Sequence, residues 1–198
     1  KHSIFNIIQI LADDEDEVLI PSPYWVSYPE MVKIAGAKSV IIPTTKQSGL
    51  KITPEQLKQA ITPRTKILIL NSPSNPTGML YSKEELKPIA DLCVKHNIFV
   101  ISDEIYEKII YDTQEFCSIA SLGKEIYDLT ITVNGVSKAY SMTGWRIGYC
   151  AGREDIMEYI KKFQDHTTSN PTSISQEAAL QALNEPEEKI KAMCDIFK

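Results

Sequence analysis

The run Lys66-Ile67-Leu68-Ile69-Leu70, bounded upstream by Pro63 and closed by Asn71-Ser72-Pro73, decides how this chain is read. It is too short for a helix, and its apolar residues are consecutive rather than alternating. A strand apolar on both faces belongs inside a sheet covered on both sides, the setting of parallel strands. Ile98-Phe99-Val100-Ile101 repeats the pattern, and Ile131-Thr132-Val133 and Ile147-Gly148-Tyr149-Cys150 supply further strands. Upstream, Glu17-Val18-Leu19-Ile20 stops at Pro21-Ser22-Pro23, and Ser39-Val40-Ile41-Ile42 follows.

Helical patterns lie between these strands. Ser3 to Leu11 has helical spacing of apolar residues, and a second helix is expected from Val26 to Ala35. Thr53 reads as an N-cap with Pro54 at the first helical position. Ser82-Lys83-Glu84-Glu85 is a capping box opening a helix to about His96. From Glu154 onward the chain reads as helical, broken near Asn170-Pro171 and Glu185-Pro186. Strands alternating with helices predict βαβ units, hence an α/β fold with three αβα layers around a mainly parallel sheet.

Composition narrows the function. The 198 residues suffice for one large domain or two small ones, with 43% hydrophobic and 24% charged residues as in soluble globular proteins. The net charge of -5 argues against nucleic acid as the main ligand. No apolar run reaches the roughly 18 residues of a membrane span, and no signal-peptide pattern opens the chain. Cys93, Cys117, Cys150 and Cys194 lack CxxC or metal-ligand spacing, so reduced thiols and a cytoplasmic location are expected. Asp13-Asp14-Glu15-Asp16 is expected to be a solvated turn, and His2, His96 and His166 to be structural. Lys1 stands where a complete chain would carry Met, so the sequence reads as a piece of a longer protein whose last helices lead toward a second domain.

Open α/β sheets gather ligands beyond the carboxyl ends of their strands. Asn75, Asp103 and Lys138 each follow or end such a strand, so all three are expected on one edge of the sheet. A free lysine amine is protonated at neutral pH, and burial or a nearby cation makes it nucleophilic. Lys138 lies in Asn134-Gly135-Val136-Ser137-Lys138, and Arg146 follows in Met142-Thr143-Gly144-Trp145-Arg146-Ile147-Gly148-Tyr149. A guanidinium there supplies the cation and a fork that fits a phosphate. Asp103 ends a buried strand, so its carboxylate needs a partner: a pyridinium nitrogen, or the first amides of a following helix. Tyr106 comes three residues later, where a helical turn would bring its phenol back toward the same place. Asn75-Pro76-Thr77-Gly78, taken alone, can be a turn. Trp25, after Pro23-Tyr24, is placed to stack on a flat ring or to fill the core. Trp145 and Tyr149 read as packing residues. An amine, a guanidinium, a carboxylate, a phenol and an amide are the groups that hold pyridoxal phosphate and use it as an electron sink.

Pro23-Tyr24-Trp25-Val26-Ser27-Tyr28, Asn71-Ser72-Pro73-Ser74-Asn75-Pro76-Thr77-Gly78, Ser102-Asp103-Glu104-Ile105-Tyr106 and Ser137-Lys138 through Tyr149 together resemble the class I/II aminotransferases. These are the aspartate aminotransferase family of fold-type I pyridoxal-phosphate enzymes, and the likeness runs in order over nearly the whole chain. The resemblance implies that Lys138 is the Schiff-base lysine and proton shuttle, and that Asp103 pairs with the pyridinium. It implies that Tyr106 and Asn75 bond the ring oxygen and that Trp25 stacks on the ring. Arg146 would hold the phosphate, with Ser137 as a partial aid, because Gly135 stands where many relatives carry a phosphate-binding serine. Trp25 and Asn75 would also contact substrate.

The same resemblance implies ping-pong transfer from an amino acid, aspartate or glutamate, to a 2-oxo acid, in a homodimer. Residues 1–198 would be the cofactor-binding large domain. The first phosphate loop and a dimerisation arm would lie upstream, and a small domain carrying the substrate-carboxylate arginine downstream, so the chain alone is expected to be inactive. Ser22-Pro23 and Asn75-Pro76 are expected to be cis. Other readings are a different reaction on the same scaffold (an aromatic aminotransferase or a C–S lyase) and the effector domain of a transcription regulator. A nucleotide-binding domain is disfavoured, since neither GxGxxG nor GxxxxGK is present.

Overall fold

Ile67 and Ile69 contribute to one hydrophobic cluster, Leu68 and Leu70 to another, and all four are buried. Successive side chains of a strand point to opposite faces, so both faces of this strand are covered. The computed structural model describes residues 1–112 and 114–198. Its strands are β1 (Glu17–Pro21), β2 (Lys38–Ile42), β3 (Thr65–Asn71), β4 (Phe99–Asp103), β5 (Thr130–Gly135) and β6 (Gly148–Ala151). They form one sheet in the order β2-β1-β3-β4-β5-β6. The first five are parallel, with Leu68 beside Val100 and Val100 beside Thr130, and β6 runs antiparallel to β5.

Helices α1 (His2–Leu11), α2 (Ser27–Ile34) and α6 (Glu154–Thr167) cover one face. Ile4, Ile7 and Ile8 of α1 and Ile156 and Ile160 of α6 meet Ile101, Ile131 and Val133 there. Helices α3 (Pro54–Ala60), α4 (Lys83–His96) and α5 (Lys124–Leu129) cover the other, where Leu57, Leu86, Ile89 and Ile126 meet Leu19, Leu70 and Val100. The result is the expected three-layer αβα arrangement. Each of these buried aliphatic side chains contributes about 1.5–3 kcal/mol relative to an exposed one. Helices α7 (Ser173–Leu183) and α8 (Glu187–Phe197) complete the chain. The α8 helix buries Ile190 and Cys194, and Cys194 Sγ donates to the Lys108 carbonyl at 3.2 Å.

Capping chemistry sets several boundaries. Thr53 and Ser82 each accept from the amide three residues on, while Gln56 and Glu85 accept from the cap amides in return. The α4 helix ends at Asn97, which takes the left-handed conformation (φ 52°) that asparagine tolerates better than most residues. Asp13 to Glu15 are exposed, as expected of a solvated turn. The peptide bonds before Pro23 and Pro76 are cis, as is the one before Pro73. All four cysteines are free, and burial pushes the Cys93 thiol up to about 12.

The segment before β5, where the sequence shows no periodic pattern, holds a short 3-10 helix, Ile119–Leu122, and the six-residue α5. Two local expectations are corrected. Tyr106 lies on a hydrogen-bonded turn after β4 rather than on a helix, with the Glu107 amide donating to the Glu104 carbonyl. Trp145 and Tyr149, read as packing residues, are 47% and 41% exposed, because they lie on the hairpin into β6 at the open edge of the sheet. Among the described residues, no helix is long and apolar enough to cross a membrane.

Candidate active site

The carboxyl ends of β1, β3, β4 and β5 open onto one cavity of about 320 Å³. That is within the usual range for a small-molecule site. Trp25 reaches it from the loop after β1, Asn75 from the loop after β3, and Asp103 from the last position of β4. Tyr106 comes from the following turn, Ser137 and Lys138 from just past β5, and Arg146 from the hairpin between β5 and β6. All seven candidate residues therefore line a single space. Lys1 to Ile4, at the start of α1, close another side, so helix amides and the positive end of the helix dipole face the same volume. His2, expected to be structural, also lines this side.

Local structure explains the placement. Asn71, the last residue of β3, donates from Nδ2 to the Asp103 carbonyl at 2.9 Å, and its Oδ1 accepts from the Asn75 amide at 2.7 Å. One side chain thus ties the β3 loop to the end of β4. Arg146 takes a left-handed backbone conformation (φ 58°), and its Nη1 donates to the Thr143 carbonyl at 2.7 Å. Gly135 sits against the backbone of β6: a Cβ there would lie 2.9 Å from both Gly148 Cα and the Ile147 carbonyl oxygen. Glycine is therefore required at 135 by strand approach, which accounts for the absence of a serine there.

The electrostatics centre on Asp103. Its carboxyl is buried, and burial pushes it above the ordinary carboxylate range. The Tyr28 hydroxyl, donating to Oδ2 at 2.7 Å, and the Ile105 amide, donating to Oδ1 at 3.3 Å, oppose that rise. Among the described residues Asp103 has no salt-bridge partner, and neither Lys138 nor Arg146 forms a salt bridge. The Lys138 ammonium lies 5.6 Å from the centre of the Tyr106 ring. Burial raises the Tyr106 phenol, the Asp103 charge adds to that, and a hydrogen bond with the Asn75 side chain works against it.

Sequence reasoning passed over Tyr28 and Asn71. Both lie inside quoted motifs, but their partners are far along the chain. The contact between Tyr28 and Asp103 spans 75 positions. The one available signal was that an Asp ending a buried strand must find donors. A group of three or more His, Cys, Asp or Glu residues able to hold a metal is absent among the described residues.

The model for "Aminotransferase class I and II" matches residues 1–198. The chain belongs to the class I and II aminotransferase family. It is 53% identical over its whole length to an aspartate aminotransferase of Geobacillus stearothermophilus and covers 50% of that protein. It is 45% identical to an aspartate/prephenate aminotransferase of Cereibacter sphaeroides, again across all of this chain and 50% of the relative. The crystal structure of an aspartate aminotransferase from Rhizobium meliloti superposes with a TM-score of 0.96 at 43% identity, covering 99% of this chain and 49% of the other. The chain thus spans about half the length of the aminotransferases it matches. The site described above is the part of an aminotransferase fold that these residues build.

Proposed function

We propose that residues 1–198 form the pyridoxal-phosphate-binding domain of an aspartate-type aminotransferase. The observation that carries this reading is the cavity itself, where an acid, an amine, a guanidinium, a phenol and an amide from separate segments converge. The donor set fits the cofactor. Among the described residues Asp103 is a buried carboxylate supplied with hydrogen bonds but no salt-bridge partner, and a protonated pyridine nitrogen provides one. Arg146, which has no carboxylate partner among the described residues, and the amino end of α1 suit a phosphate. Bound there, pyridoxal phosphate supplies an electron sink for a substrate carbanion.

The chain's own residues divide the remaining work. Trp25 offers a flat face for a ring, and Asn75 and Tyr106 supply donors for a ring oxygen. Ser137, which lines the same cavity beside Lys138, would add a hydroxyl for the phosphate that Arg146 would hold. The Lys138 amine holds the cofactor and then takes and returns the proton at the substrate Cα. Trp25 and Asn75 form one wall against which substrate is oriented. The identity to aspartate aminotransferases supports aspartate as amino donor and a 2-oxo acid as acceptor in alternating half-reactions. The Cereibacter relative, named for prephenate as well, favours prephenate as a second acceptor. The parent enzyme is proposed to be a cytoplasmic homodimer, with residues outside this span completing the substrate site.

The experiment is an amino-transfer assay on the full-length protein with aspartate and 2-oxoglutarate, repeated with prephenate. Oxaloacetate formation that is lost in Lys138→Ala supports the reading. Release of a 2-oxo acid together with ammonia, beyond one equivalent per site and with no acceptor present, indicates a lyase instead. Turnover is expected from the full-length protein and not from residues 1–198 alone.

A further inference from the structure

Tyr28 is 2% exposed, in the first turn of α2, and none of the roles above uses it. Its hydroxyl donates to Asp103 Oδ2 at 2.7 Å. Its ring meets Trp25 edge-on, with centroids 5.4 Å apart and planes at 88°. Tyr28, Met31 and Val32 form the buried face of α2, at the spacing of one helical stripe, so the phenol is anchored on a packed element.

We infer that Tyr28 is a positioning residue of the cofactor site, fixing the Asp103 carboxylate through its hydroxyl and the Trp25 indole through its ring. This rests on the reading that a pyridine ring lies against Asp103 and Trp25. With Tyr28 on Oδ2 and the Ile105 amide on Oδ1, the carboxylate cannot turn without breaking both bonds. A carboxylate has about four acceptor positions, so two remain for a further donor. The phenol remains a donor throughout the working range, because burial and the neighbouring Asp103 hold it well above its ordinary value. The other titratable groups acting on this pair are Tyr106, on the turn after β4, and the α-amino group of Lys1.

Two measurements on Tyr28→Phe test this, since that variant keeps the ring and removes the hydroxyl. In the cofactor-free chain, the ¹³C titration of the Asp103 carboxyl, assigned with Asp103→Asn, should move to higher pH. An unchanged midpoint overturns the proposal. Pyridoxal phosphate should bind roughly tenfold more weakly to Tyr28→Phe, the scale of one hydrogen bond to a charged group, and the loss should vanish in an Asp103→Asn background. Equal affinities, or a loss that persists with Asp103→Asn, overturn it. Tyr28→Met, which fills the space without a hydroxyl, repeats both measurements if Tyr28→Phe does not fold. Where the 198-residue chain takes up no pyridoxal phosphate, the affinities are compared in the full-length protein; if that takes up none either, the proposed function fails, while the carboxyl titration still decides the Tyr28–Asp103 link.

Discussion

At Asp103 a charge is held where the protein alone does not neutralise it. Burial raises its pKa above the ordinary 3.8, and a group raised on folding stabilises the fold fully only below its unfolded value. That stability is lost as pH rises through the folded value. Asp103→Asn still accepts from Tyr28 and carries no charge. Without cofactor, this variant should be more stable than the unaltered chain at pH 8, by about 1–3 kcal/mol, with the gap closing below roughly pH 4. Thermal melts across pH check this, and equal stability at pH 8 contradicts it. Arg146 makes the opposite kind of prediction. Arg146→Ala should weaken pyridoxal phosphate binding by about 10–100-fold with little change in melting temperature, because its guanidinium is exposed and, among the described residues, bonded only to the Thr143 carbonyl. Arg146→Lys should restore only part of the loss, since an ammonium lacks the planar fork. Absorbance titrations read both. The residues legible in the sequence were those whose chemistry and strand-end position coincide: Lys138, Asp103 and Asn75. Tyr28 and Asn71 were not, because a buried tyrosine and a strand-end asparagine look ordinary until their partners are brought alongside.

The elements were legible wherever a local rule fixes them. The N-cap at Thr53 and the capping box at Ser82 stand where the sequence places them, and the consecutive apolar runs became central strands covered on both faces. The α5 helix was not legible because it is short and its two buried residues, Ile126 and Leu129, give no repeat. The β5–β6 hairpin shows how one residue sets an element. Gly135 and Gly148 face each other across it, and a Cβ at 135 would press on backbone, which cannot yield as a side chain does. Gly135→Ala is expected to cost about 1–3 kcal/mol and to displace β6, and with it Arg146. Urea unfolding together with cofactor affinity checks this. A variant as stable and as tight-binding as the original would show that the strands tolerate separation there.

Across the whole molecule the two ends of the sheet do different things. The carboxyl ends build the cavity, while the amino ends of β1, β2 and β3 are joined through Glu17. Its carboxylate accepts from Thr62 Oγ1 at 2.6 Å, Lys38 Nζ at 2.9 Å and Arg64 Nη2 at 3.0 Å. The Thr62 bond first, and then Lys38, hold Glu17 below its ordinary 4.5. A group lowered on folding stabilises above its unfolded value and loses that contribution as pH falls through the folded one. Lys38 and Arg64 are 62% and 61% exposed, so solvent screens both ion pairs. Glu17→Gln should therefore cost only about 1 kcal/mol at pH 7, less in high salt, and nothing once the pH is below the carboxylate range.

The central claim is that the cavity lined by Lys138, Asp103 and Arg146 is built for pyridoxal phosphate. The most direct measurement is the visible absorption spectrum of the 198-residue chain mixed with pyridoxal phosphate, beside Lys138→Ala. A band above that of free cofactor, formed by the unaltered chain and absent in Lys138→Ala, is the predicted result. Identical spectra for the two proteins, repeated in the full-length protein and its Lys138→Ala variant, would contradict the claim.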